Sequence, residues 1–78
     1  MPRFYFDVTS GGSTERDDVG LDLPSADAVR SYTAKVVAEI AREELADETT
    51  ATFTVSVRDD TNFVIFSGEL TYRAEWDD

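Results

Sequence analysis

The chain has no cysteine and no histidine. Disulfides, thiolate metal sites and cysteine catalysis are therefore excluded, as are nucleophilic triads that rely on histidine. A zinc site would lack both of its preferred ligand types. There is one lysine, Lys35, with no glycine-rich loop before it, so no phosphate-cradling loop is present. No GxGxxG occurs, and 78 residues leave no room for a dinucleotide-binding unit. Basic residues are also scarce, 7 against 17 acids, for a net charge of -10. Arg3, Arg16, Arg30, Lys35, Arg42, Arg58 and Arg73 are scattered, so no basic stripe exists to displace counterions from DNA or RNA or to hold an anionic membrane. The longest strongly apolar run is Phe63-Val64-Ile65-Phe66, far short of the roughly 18 residues of a membrane-crossing helix. The opening MPRFYFDV carries one basic residue, then an acid, and no long apolar region, unlike a secretory signal. A cytoplasmic protein is expected.

What is present is a folding pattern. Hydrophobic residues make up 41% of the chain and aromatics 12%, enough for one small domain over residues 1–78 with a marginal core. Phe4, Phe6 and Val8 alternate with Tyr5, Asp7 and Thr9, the period of a half-buried strand. Ser10-Gly11-Gly12-Ser13 reads as a hairpin turn, with a short polar return strand from Thr14 to Asp17. Asp17-Asp18-Val19-Gly20 reads as a second turn, followed by Leu21 and Leu23 before Pro24. Ser25 is a helix N-cap with Asp27 in the first turn, and a helical period runs from Ala26 to about Asp47. Its apolar stripe is Val29, Tyr32, Thr33, Val36, Val37 and Ile40. Phe53, Val55 and Val57 then alternate with polar residues over Thr52 to Arg58, and Asp59-Asp60-Thr61-Asn62 turns the chain back.

The expected fold is α+β: two antiparallel hairpins joined by one long helix (ββαββ), with the helix on one sheet face. The predicted core is Phe4, Phe6, Val8, Val29, Val36, Ile40, Phe53, Val55, Val57, Val64 and Phe66. The last strand is the anomaly. From Asn62 to Trp76 the even positions are apolar or small and the odd ones polar, with only Phe63 and Ile65 out of phase. This strand outlasts its partner by about seven residues, roughly 23 Å at ~3.3 Å per residue. Residues 69–78 are therefore a strand extension or a tail, and Phe63, Ile65, Leu70, Tyr72 and Trp76 are the candidate interface. Two coverings are open: the segment folds over its own sheet, or it pairs with a second copy. A homodimer is the expected partner, with a separate protein as the alternative.

The start MPRFYFDV, the turn Gly11-Gly12, DDVG followed by LDLP, and the helix start SADAVR together resemble a family of small bacterial proteins. The family is a domain of unknown function. It opens Met-Pro-Arg-aromatic-aromatic-Phe and continues through an Asp-x-x-Gly turn and Leu-Pro into an Ala-rich helix. The resemblance runs in order over nearly the whole chain and implies the fold, but it assigns no catalytic or ligand residue. The chain departs from it at Asp59-Asp60-Thr61-Asn62, where the family often has glycine, and in its aromatic tail through Trp76.

Carboxylates are the remaining chemistry. Asp17, Asp18 and Asp22 are expected at the same end of the domain as Asp59 and Asp60, where loop oxygens could hold a divalent cation or serve a minor hydrolase. Their spacing matches no EF-hand, and aspartate is favoured in turns for local hydrogen bonding. Acid–base catalysis would also need a concave apolar pocket, which a single-helix domain rarely encloses. The expectation is an interaction or accessory protein without catalysis, cofactor, metal, nucleic acid or membrane, self-associating through its C-terminal strand.

Overall fold

A computed structural model describes residues 2–77. Six elements follow one another: β1 (Arg3–Ser10), β2 (Ser13–Glu15), β3 (Leu21–Asp22), α1 (Ala26–Glu44), β4 (Thr50–Arg58) and β5 (Val64–Arg73). The class is α+β, with one helix on an antiparallel five-stranded sheet. The hairpin-helix-hairpin scheme is corrected in one respect. The first return strand is two short pieces, so the strands number five. The main sheet order is β2-β1-β4-β5, and β3 also pairs with β1. The two strands with alternating apolar residues, β1 and β4, are thus the inner ones.

The split has a physical cause. Val8 pairs with Glu15 and Phe4 with Leu21, so the return chain uses two more residues than β1 over the same stretch. The excess is taken up by the Arg16–Gly20 loop. Where the ladder is interrupted, the Asp17 carboxylate substitutes for it and accepts the Phe6 amide at 3.0 Å. Gly20 closes the loop at φ +78, with the Tyr5 ring and the Arg3 stem packed where a Cβ would sit.

Ser25 caps α1 through its side chain, which accepts the Ala28 amide. The helix stops at Glu44, three residues before the expected end. Leu45 N–H still bonds the Ala41 carbonyl, and Glu48 N–H then turns back to Leu45. Val29, Thr33, Val37 and Ala41, every fourth residue, form the buried stripe. Val29 and Val37 pack with Phe4, Phe6, Val55 and Val57 in one cluster, and Phe53 is buried as well. Val8, Val36, Ile40, Phe66 and Leu70 are only partly buried around that centre. The Phe6 and Tyr32 rings pack edge to face, with their centres 4.9 Å apart. Opposite Val55 on β5 stands Gly68, and the Thr33 methyl lies 2.8 Å from where its Cβ would be. That missing side chain lets the helix settle close over β5.

Val64 is not in the core. Val57 pairs with Phe66 but Arg58 pairs with Val64, so Ile65 is an extra residue, a β-bulge. Past it the two-residue phase shifts. Directly opposed residues share a face, so Val64 joins Arg58 on the side away from the helix, 60% exposed. The expected overhang is also corrected. β4 begins at Thr50, and its pairing with β5 runs from Arg58 to Thr50 against Val64 to Arg73. Ala74 continues the register, its amide donating to Thr49.

Candidate interaction surface

The sheet face away from the helix holds a polar cluster centred on Arg58. Its Nε donates to Asp7 Oδ2 at 2.7 Å and its Nη2 to Asp7 Oδ1 at 3.0 Å, a two-pronged pair. The remaining donations go from Nη1 to Asn62 Oδ1 and from Nη2 to the Asp17 carbonyl. The guanidinium lies 5.0 Å from the centre of the Tyr5 ring. Arg58 is buried and Asp7 largely so, with 9% and 14% of their side-chain surfaces exposed. The Asp17 amide adds a third hydrogen bond to the Asp7 carboxylate. The guanidinium holds the Asp7 carboxyl below the usual carboxylate range, and burial opposes it. The cluster ties β1, the Arg16–Gly20 loop, β4 and the Asn62 turn together, and no buried side-chain polar atom lacks a partner among the described residues. With four of the five guanidinium N–H groups engaged within the chain, its role is structural. The sequence offered one clue to it: an arginine and an aspartate on the polar phases of two inner strands.

The aspartates considered as metal ligands have separate duties. Burial pushes the Asp17 carboxyl up, but the amides of Phe6, Gly20 and Val19 outweigh this and hold it low. Asp22 pairs with Arg3, and Asp18 lies 3.8 Å from Arg16. Asp59 accepts the Thr61 hydroxyl and the amides of Thr61 and Phe63, which holds its carboxyl low and shapes a turn with Asn62 at φ 74. Asp60 is exposed. Among the described residues, no group of three or more His, Cys, Asp or Glu is placed to hold a metal ion.

The proposed interface residues fall in three places. Phe63 and Ile65 stand exposed at the bulge end of β5, beside Val64. Leu70 faces the helix and packs against the core, with the more exposed Tyr72 two residues on. Trp76, 96% exposed, lies just past the strand. Of the called tail, Asp78 lies outside the described residues. These side chains border the outer edge of β5, which has no strand partner among the described residues. The opposite sheet edge is protected differently: β2 and β3 have three and two residues, and the Asp17 loop interrupts them. Just past β5, Ala74 donates to Thr49, the residue before β4, and continues the ladder, so the even residues of β5 direct their backbone groups inward. Ser67, Glu69, Thr71 and Arg73 therefore direct N–H and C=O outward.

Two grooves flank the helix. One, of about 580 Å³, lies on the β1 side between Val8, Val36 and Ile40, rimmed by glutamates. The other, of about 390 Å³, runs beside the open edge between Ala34, Ala38, Phe66, Gly68 and Leu70 and is mostly apolar.

Among known proteins, a family model described as a domain of unknown function (DUF6894) matches residues 3–71. No curated protein and no solved structure matches the chain.

Proposed function

The chain belongs to that family, DUF6894, and from this premise we propose that it is a small cytoplasmic interaction module, without catalytic activity, that self-associates through the open edge of β5. One observation carries the reading. A ten-residue edge strand combines outward backbone donors and acceptors with exposed Val64, Ile65, Tyr72 and Trp76 and an apolar groove alongside. An edge of that length and character tends to recruit another strand; no proline or lysine interrupts it, the bulge at Ile65 lies at one end, and the charges of Glu69 and Arg73 are of opposite sign. The distribution of charge supports the exclusion of nucleic acid and anionic membranes. Arg3, Arg16, Arg30, Arg58 and Arg73 each have an acidic neighbour within 4 Å in the chain itself. Among the described residues, no helix is long and apolar enough to cross a membrane.

Light scattering over a concentration series tests the reading, with Thr71→Pro as the comparison. Because the Thr71 amide faces away from β4, proline there removes an outward donor without breaking the β4–β5 ladder. A parent dimer that becomes a folded monomer on substitution supports the proposal. A parent that stays monomeric at high micromolar concentration overturns it.

A further inference from the structure

Resting on self-association through β5, we propose that the strand carries its own register: two copies pair β5 antiparallel about a two-fold axis passing beside Thr71. The residues directing N–H and C=O outward are the odd ones, so Thr71 at the axis would exchange two hydrogen bonds with Thr71 of the second copy. Glu69 then stands opposite Arg73 of the second copy, twice by symmetry, on the face away from the helix. On the helix face Leu70 opposes Tyr72, Gly68 opposes Ala74, and Phe66 opposes Trp76. Every direct pair is apolar with apolar, polar with polar, or acid with base.

Neighbouring registers lack this match. An axis at Glu69 sets two carboxylates against each other, and one at Arg73 sets two guanidiniums together. An axis at Tyr72 opposes Glu69 to Glu75. An axis at Leu70 leaves Glu69 across from Thr71 and the charge pair unmade. Directly opposed unlike charges favour a cross-strand pair and like charges oppose it. The Thr71 register also covers the most exposed large side chain, Trp76, and joins the two apolar grooves beside β5 along one line. The bulge at Ile65 ends the pairing, because the phase of the strand changes there.

The absence of native cysteine makes the test direct. Hydrogen-bonded antiparallel partners have Cα atoms about 5.5 Å apart, within disulfide reach. Under mild oxidation Thr71→Cys should crosslink to a covalent dimer, while Ser67→Cys should not. Glu69→Arg or Arg73→Glu alone should raise the dissociation constant about tenfold or more, and the double variant Glu69→Arg/Arg73→Glu should restore it. A dimer that crosslinks through Ser67→Cys and not Thr71→Cys, or a double variant no better than the singles, overturns the register while leaving self-association standing. A monomeric parent overturns both.

Discussion

Replacing Asp7 by asparagine keeps the shape of the side chain and removes its charge. The carboxylate accepts three hydrogen bonds, from Arg58 Nε, Arg58 Nη2 and the Asp17 amide. An asparagine cannot reproduce them. Whichever way its amide turns, the NH₂ confronts at least one N–H of the guanidinium or the Asp17 backbone. Removing one member of a buried ion pair costs about 3–5 kcal/mol, and slight exposure of this pair points to the lower end, about 3 kcal/mol. A domain of this size has roughly 4–12 kcal/mol in total. At ~4–8 °C per kcal/mol, the melting temperature should fall by about 12–24 °C at neutral pH. The sign of the pH dependence adds a second reading. Asp7 titrates lower folded than unfolded, so its contribution is complete above the unfolded value of ~3.9 and is lost as the pH falls through the depressed folded value. The gap between parent and Asp7→Asn should therefore be wide at neutral pH and close progressively in acid. Urea titrations of both proteins at several pH values measure it. A gap under ~1 kcal/mol at neutral pH, or one that stays constant into acid where Asp7 is protonated, would refute the buried-pair account.

Further outcomes follow from the same geometry. The double variant Asp7→Leu/Arg58→Met should be more stable than Asp7→Asn, because removing both charges leaves neither one stranded; chemical denaturation compares them. Phe53→Ala should cost about 3–5 kcal/mol, since that ring is almost wholly buried. Ile40→Ala should cost less, because Ile40 lies on the partly open flank of α1; melting curves rank the two. Gly20→Ala should cost about 2 kcal/mol or more, from the positive φ and the Tyr5 carbon 2.8 Å from the new methyl, read by thermal denaturation. Gel shifts with duplex and single-stranded probes at physiological salt should show no saturable binding, and one saturable complex would overturn the charge argument.

Much of this domain was legible as local pattern. The alternation of Phe4, Phe6 and Val8, and of Phe53, Val55 and Val57, assigned each residue to a face, because a strand's period of two needs only its own neighbours. Ser25 placed the helix start because a cap bonds an amide three residues on. The aspartates of both turns were also readable as turn formers, since Asp59 bonds within its own loop. What the tertiary structure alone decided were events between distant segments. Asp17 interrupts the first return strand through the amide of Phe6, 11 residues away. Arg58 finds Asp7 at a separation of 51. The bulge at Ile65 exists only in the pairing of β4 with β5. It moved Val64 out of the core, although the run Phe63 to Phe66 reads as one unbroken apolar stretch. A period records which residues could share a face, whereas register, bulges and buried ion pairs depend on the strand that lies alongside, and that neighbour is chosen only when the whole sheet assembles.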